Sequence, residues 1–280
     1  MRLDSHQHFW RYSAAEYPWI PPASALARDW LPADLESLQK PLNFDGSIAV
    51  QARQSLTESQ WLLALAEADP RIQGVVGWVD LQNDRVEDEL VPLARHPKFV
   101  GVRHVVQDEP DDEFVLRPAF QRGLQRLRDH GLRYDLLVYP RQLPATIRLV
   151  EAFPEQPFVL DHIAKPLIRE AKISPWREQI RELARFPHVH CKISGMITEA
   201  DHVHWQPTDL APYLEVILEA FGPSRLMFGS DWPVCLLAGS YERVFRVVDE
   251  YLTTRATWTE EERARFWGEN CARFYGVRMG

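Results

Sequence analysis

Eight short runs rich in β-branched residues alternate along this chain with longer stretches whose apolar residues recur at i, i+3 and i+4. The runs fall at residues 2–8, 47–52, 73–81, 99–106, 132–138, 158–163, 189–195 and 225–230. Several are apolar on both faces, as in Ile48-Ala49-Val50 and Val75-Val76-Gly77, which is the pattern of parallel strands covered by helices. Eight strands with helical crossovers in 280 residues predict a closed, somewhat distorted (β/α)8 barrel with its active site at the C-terminal ends of the strands. No Gly/Ser linker, repeat or low-complexity block interrupts the alternation, so residues 1–280 read as a single domain.

Composition narrows the function classes. A net charge of −8 and no basic run argue against a nucleic-acid partner. No apolar stretch approaches the ~20 residues of a membrane span, and the first residues carry no apolar export segment. Cys191, Cys235 and Cys271 are odd in number and lack CxxC spacing, which predicts reduced thiols and a cytoplasmic protein. Nothing in the sequence specifies an oligomer.

Chemistry concentrates where the predicted strands end. In Asp4-Ser5-His6-Gln7-His8 two histidines stand two residues apart, so on a strand both rings share one face. At the mouth of a barrel they make half a metal site or a polar clamp. In Phe228-Gly229-Ser230-Asp231-Trp232-Pro233 an apolar strand ends in a carboxylate, which could also be a simple turn residue. In Leu160-Asp161-His162-Ile163-Ala164-Lys165-Pro166 another strand exit bears ionisable groups, which packing alone does not favour. Three separate exits carrying His, His and Asp point to one cluster.

Residues 9–32 are dense in aromatics (Phe9, Trp10, Tyr12, Tyr17, Trp19 and Trp30) and in proline. They would follow the first strand over the mouth, either walling a pocket that stacks on a ring or plugging the barrel end. Trp30 is the substrate-binding candidate there. Residues 197–208, with His202, His204 and Trp205, would overhang the same mouth.

The segments at 4–10 (DSHQHFW), 99–104 (FVGVRH), 161–166 (DHIAKP), 228–233 (FGSDWP) and 268–276 (GENCARFYG) occur in order along the chain. Together they resemble the amidohydrolase superfamily, in the amidohydrolase 2 branch that includes sugar-lactone hydrolases. The resemblance implies a distorted (β/α)8 barrel using His6 and His8 from strand one, His162 from strand six and Asp231 from strand eight. Binuclear members carry a bridging Lys or acid on strand four and a His on strand five. Here those strands read Gly101-Val102-Arg103-His104-Val105 and Tyr134-Asp135-Leu136-Leu137-Val138-Tyr139, so a two-metal centre is not expected. At most one divalent ion, zinc by its His-rich ligands, is expected on His6, His8, His162 and Asp231. Some lactonases of this branch work without metal.

Arg103 and His104 are adjacent, so only one of them can face the lumen of a regular strand. Either could bind a lactone carbonyl, and Tyr139 and Gln51 could meet hydroxyls. Lys165 and Lys192 read as solvated or paired near the rim, and Asn270, Arg273 and Tyr275 as structural. His96, His130, His188 and His190 read as surface or capping residues. The activity implied is a carboxylic ester hydrolase opening a small-molecule sugar lactone, an aldonolactone such as L-fuconolactone or L-rhamnonolactone. Asp231 would act as general base and then acid, and His162 would orient the water. The alternatives are a metal-dependent decarboxylase of an unsaturated or aromatic acid, and a hydrolase of a carboxylated pyrone-type lactone.

Overall fold

A computed structural model describes residues 1–277. Eight parallel strands form one sheet in sequential order: β1 (Leu3–Gln7), β2 (Gly46–Val50), β3 (Ile72–Gly77), β4 (Phe99–His104), β5 (Arg133–Leu136), β6 (Phe158–Leu160), β7 (Val189–Ile193) and β8 (Leu226–Phe228). Each strand falls at one of the eight predicted runs, and the sheet curls into a nearly closed (β/α)8 barrel. Just past β8, Asp231 N–H donates to His6 O at 2.8 Å and His8 N–H to Trp232 O at 2.7 Å, joining the last strand to the first. Side chains tighten this seam. Ser5 Oγ donates to Phe228 O at 2.6 Å, and Ser230 N–H donates to Asp4 Oδ1 at 2.9 Å.

The helices between strands start where their sequences dictate. Those at α1 (Pro32–Gln39), α4 (Pro118–Asp129) and α7 (Pro207–Phe221) open on a proline, which lacks the N–H that the first turn leaves unpaired. Two others, α2 (Leu56–Ala68) and α8 (Tyr241–Thr254), are capped by Ser55 and Ser240, which accept from Glu58 N–H and Arg243 N–H. The remaining crossovers are α3 (Val86–Ala94), α5 (Leu143–Ala152) and α6 (Trp176–Leu183). Among the described residues no helix is long and apolar enough to cross a membrane.

Two apolar layers result. The larger lies between the sheet and the helices. The smaller fills the base of the barrel with Leu3, Ile48, Val50, Val76 and Met227, closed from below by Cys271, Phe274 and Tyr275 of the last helix, α9 (Asn270–Tyr275). A base sealed in this way leaves the opposite end, where the strand C-termini lie, as the open one.

The aromatic segment 9–32 folds back over that end mostly as a plug. Trp10 is fully buried, its indole N–H donates to Arg28 O at 2.9 Å, and its backbone bridges Trp30. Phe9 and Trp30 both pack edge-on against Trp232. Tyr17 OH donates to Glu58 Oε1 at 3.0 Å, tying the segment to α2.

Candidate active site

His6 and His8 leave β1 on one face, as alternation requires, with their Nε2 atoms 3.2 Å apart. The carboxylate of Asp231 joins them, its Oδ1 3.3 Å from His8 Nε2 and 3.9 Å from His6 Nε2. His162 arrives from the exit of β6, its Nε2 3.9 Å from the same oxygen. All four side chains are at most 5% exposed. The structure therefore brings together His6, His8, His162 and Asp231 from three strand ends.

Local backbone geometry aims them. Asp231 has φ 56° and His162 φ 51°, both left-handed, so the chain turns sharply out of the sheet at each. Gly195, after β7, has φ +60°, and a Cβ there would lie 2.6 Å from His162 Nδ1. Only glycine admits both that backbone and that ring. A Cβ at Gly229 would likewise stand 2.7 Å from the Cβ of His6.

Hydrogen bonds hold the three rings in place and fix the ring proton of His8. His8 Nδ1 lies 2.8 Å from Val50 O, an acceptor only, so this nitrogen carries the proton and Nε2 keeps its lone pair in the neutral ring. His6 Nδ1 is 3.3 Å from Asp161 Oδ1, while its Nε2 faces Arg103 Nη1 at 3.2 Å. Each nitrogen of His6 therefore meets one donor and one acceptor, since Lys192 Nζ also stands 3.2 Å from Nδ1 and the lone pair of His8 Nε2 stands 3.2 Å from Nε2. His162 Nδ1 meets Ser194 Oγ at 2.9 Å. Burial lowers His6 and His162 well below the ordinary imidazole pKa, which favours the neutral rings. Burial also pushes the Asp231 carboxyl up, but His162, His8 and Lys165 outweigh it and the net shift is downward.

Two imidazole nitrogens and a carboxylate oxygen thus face one another across 3.2 to 3.9 Å. A tetrahedral divalent ion with bonds of ~2.0–2.1 Å has ligand atoms about 3.3 Å apart, so this donor set fits one such ion, zinc included. His6, His8 and Asp231 form a tight group of donors, and His6, Asp161 and His162 form an overlapping one.

Beneath the cluster lies a charge network that the sequence reading did not assemble. Lys192, on β7, is fully buried, with Nζ 2.6 Å from Asp135 Oδ2, 3.0 Å from Asp161 Oδ1 and 3.2 Å from His6 Nδ1. The expectation of a solvated or rim-paired lysine is corrected at this position. His6, Asp135 and Lys192 all come from odd-numbered strands, which share a layer inside such a barrel. Tyr275 OH donates to Asp135 Oδ2 at 2.8 Å, so the last helix supports the network from below. Burial raises Asp135 to about 6. Burial acts in the same direction on Asp161, yet Lys192, His6 and Arg103 hold that carboxyl well below its usual range. A charged residue in the middle of two apolar strands, Asp135 and Lys192, was the available sequence signal.

Of the adjacent pair on β4, Arg103 takes the lumen. Its Nη1 donates to Asp161 Oδ2 at 3.1 Å, and its Nη2 donates to the carbonyl of Gln51. His104 points away, stacked on Phe114 with ring centroids 4.7 Å apart and with Nε2 2.7 Å from Glu109 Oε1. Gln51 is spent on Arg103, to whose carbonyl its Nε2 donates at 3.2 Å. Trp30 is 8% exposed, and the guanidinium of Arg28 covers its ring at 3.4 Å. Tyr139 is half-buried at the exit of β5, with Lys165 Nζ 5.6 Å from its ring. Asp4, fully buried and raised to about 6 by burial, accepts from Ser230 N–H and Tyr241 OH at the seam.

An eight-stranded barrel with three histidines and an aspartate converging at its mouth is the framework of a hydrolytic centre. The family described as Amidohydrolase matches residues 3–277, and the chain belongs to that family. Among its curated relatives, L-fucono-1,5-lactonase of Burkholderia multivorans is 44% identical over 99% of this chain and 96% of its own. L-fucono-1,5-lactonase of Burkholderia ambifaria is 36% identical over the same shares. A crystal structure of an amidohydrolase from Burkholderia multivorans with bound zinc superposes with a TM-score of 0.95 at 43% identity, covering 99% of this chain and 100% of that one.

Proposed function

We propose that this chain is a lactonase whose single barrel domain opens a sugar lactone, an aldonolactone such as L-fuconolactone or L-rhamnonolactone, to its hydroxy acid. The observation that carries the chemistry is the convergence of Asp231 Oδ1 with the Nε2 atoms of His6, His8 and His162. The identity to two L-fucono-1,5-lactonases over nearly the whole length supports the substrate class.

Ring opening needs a deprotonated water, a polarised carbonyl and a protonated leaving oxygen. Asp231, with its pKa below the ordinary carboxylate value, is ionised at neutral pH and takes the proton from a water that His162 orients. The water oxygen bonds to the carbonyl carbon. The bond from that carbon to the ring oxygen then breaks, and Asp231 returns its proton to the ring oxygen. His6, His8, His162 and Asp231 are the residues that would hold a divalent ion, which supplies Lewis-acid polarisation of the carbonyl when bound. Arg103 lends positive charge through His6 and Asp161, because its terminal nitrogens are already engaged by protein. The three free, buried cysteines favour a reducing, cytoplasmic setting.

The test is acid release from a panel of aldonolactones, with and without exhaustive chelation. Turnover above the spontaneous rate is expected for L-fuconolactone or a close relative, and Asp231→Asn should lower kcat by about 100- to 10,000-fold. Unchanged turnover in Asp231→Asn would refute the mechanism. Complete and zinc-reversible loss on chelation would show that an ion is required.

A further inference from the structure

The site needs a positive group for the oxygen that becomes negative when water adds to the lactone carbonyl. Three cationic side chains come into consideration: Arg103 and Lys192, which both touch His6, and Lys165, three residues after His162 on the same turn. Arg103 is 3% exposed, and both terminal nitrogens are committed to His6, Asp161 and Gln51. Lys192 is fully buried between Asp135 and Asp161. Lys165 differs from both. Its side chain is 17% exposed, and its ion pair, with Glu199 Oε1, is long at 3.6 Å. An ammonium with three donors and one loose partner has capacity left for a ligand.

The backbone delivers Lys165 to the mouth by an unusual route. His162, Ile163, Ala164 and Lys165 have φ of 51°, 50°, 60° and 48°, four consecutive non-glycine residues in the left-handed region. Side chains with a Cβ visit that region singly, so a run of four persists only where its surroundings hold it. Here they do. Lys165 N–H donates to His162 O at 2.8 Å, Trp176 donates its indole N–H to Ile163 O at 2.7 Å, and Ile163 and Ala164 are fully buried. One turn therefore carries both His162 and Lys165. Its lysine reaches Glu199, on the loop after β7, and lies 5.6 Å from the ring of Tyr139, at the exit of β5. That is the rim directly above β6.

We propose that Lys165 is the oxyanion-binding cation of this site: its ammonium binds the lactone carbonyl oxygen, stabilises that oxygen as water adds, and then holds the carboxylate of the hydroxy acid. The proposal rests on the lactonase reading above. Proton accounting is unchanged by it. Asp231 takes the proton from water and returns it to the ring oxygen, while Lys165 keeps its own protons throughout and contributes charge only.

The three native cysteines are all buried, so a thiol placed at the rim is the one expected to alkylate. Lys165→Cys should lower kcat/KM for an aldonolactone by about 100- to 1,000-fold, with most of the loss in kcat. It should also weaken competitive inhibition by the product aldonate at least tenfold. Treating that variant with 2-bromoethylamine restores an ammonium and should recover at least tenfold in kcat/KM, whereas iodoacetamide should recover nothing. Glu199→Gln, which frees the lysine without altering it, should tighten aldonate inhibition severalfold. Wild-type kcat/KM and aldonate inhibition in Lys165→Cys would overturn the proposal and leave the lactonase reading standing. A loss that aminoethylation does not restore would do the same, as would aldonate inhibition unchanged in Glu199→Gln. Failure of the wild-type protein to open any lactone would remove the lactonase reading and this proposal with it.

Discussion

A methyl group at Gly195 would stand 2.6 Å from the ring nitrogen of His162 that Ser194 engages, on a backbone already at φ +60°. Gly195→Ala therefore has to twist the backbone or displace the ring. The strained conformation costs about 1–2 kcal/mol of stability, and misplacing His162 should lower kcat/KM by about 10- to 100-fold. Steady-state kinetics beside a thermal melt separate the two effects, and activity should fall further than the melting shift explains. The four converging residues were legible because ionisable side chains at the ends of apolar strands have no packing reason to be there. Which of Arg103 and His104 faces the lumen was not legible, because alternation says only that they differ. The structure decides it through partners distant in sequence, Asp161 for the one and Glu109 with Phe114 for the other.

Three elements meet at Lys192. It stands on β7 between Asp135 of β5 and Asp161 at the exit of β6, with no solvent to share the charge. Lys192→Met leaves the buried carboxylate of Asp135 without its cation and Asp161 with Arg103 alone, and should destabilise the fold by about 3–5 kcal/mol. Adding Asp135→Asn to that variant should regain part of the loss, because it removes the orphaned charge. Denaturant titration of the single and double variants measures both, and a double variant no more stable than the single one would argue against the network. Strand order was readable from the alternation of patterns, but this pairing was not, since β5 and β7 are separated by β6 and touch only across the lumen. The ends of β6 and β8 depart from the predicted runs for a different reason. Runs predicted to 163 and 230 stop at Leu160 and Phe228, because the chain leaves the sheet for left-handed turns at His162 and Asp231. Positive φ at non-glycine residues leaves no mark in composition or periodicity.

For the molecule as a whole, buried ionisable groups set the pH dependence of stability. Glu58 ties the aromatic plug to α2 by accepting from Tyr17 OH and from the backbone N–H groups of Ala52 and Arg53, and burial raises it to about 7. The folded protein therefore binds more protons than the unfolded chain between about 4.5 and 7. Stability from this group is full below that window and is lost as pH rises through it. Relative to the wild type, Glu58→Gln should gain on the order of 3 kcal/mol between pH 4.5 and pH 8. Chemical denaturation across that range checks the slope, and parallel curves for the two proteins would contradict it. His6 and His162, buried with lowered pKa values, act the other way, so that stability falls as pH drops below about 6.5. The barrel is joined to itself where β8 meets β1, and the backbone bonds there are made by His6, His8, Asp231 and Trp232. Three of these are the very residues whose side chains meet at the mouth. Any fluctuation that unzips the first strand from the last must therefore scatter the reactive groups as it does so. The enzyme would fall silent in a partly opened form long before its helices melt, because the joint that closes the cylinder and its working centre are one place.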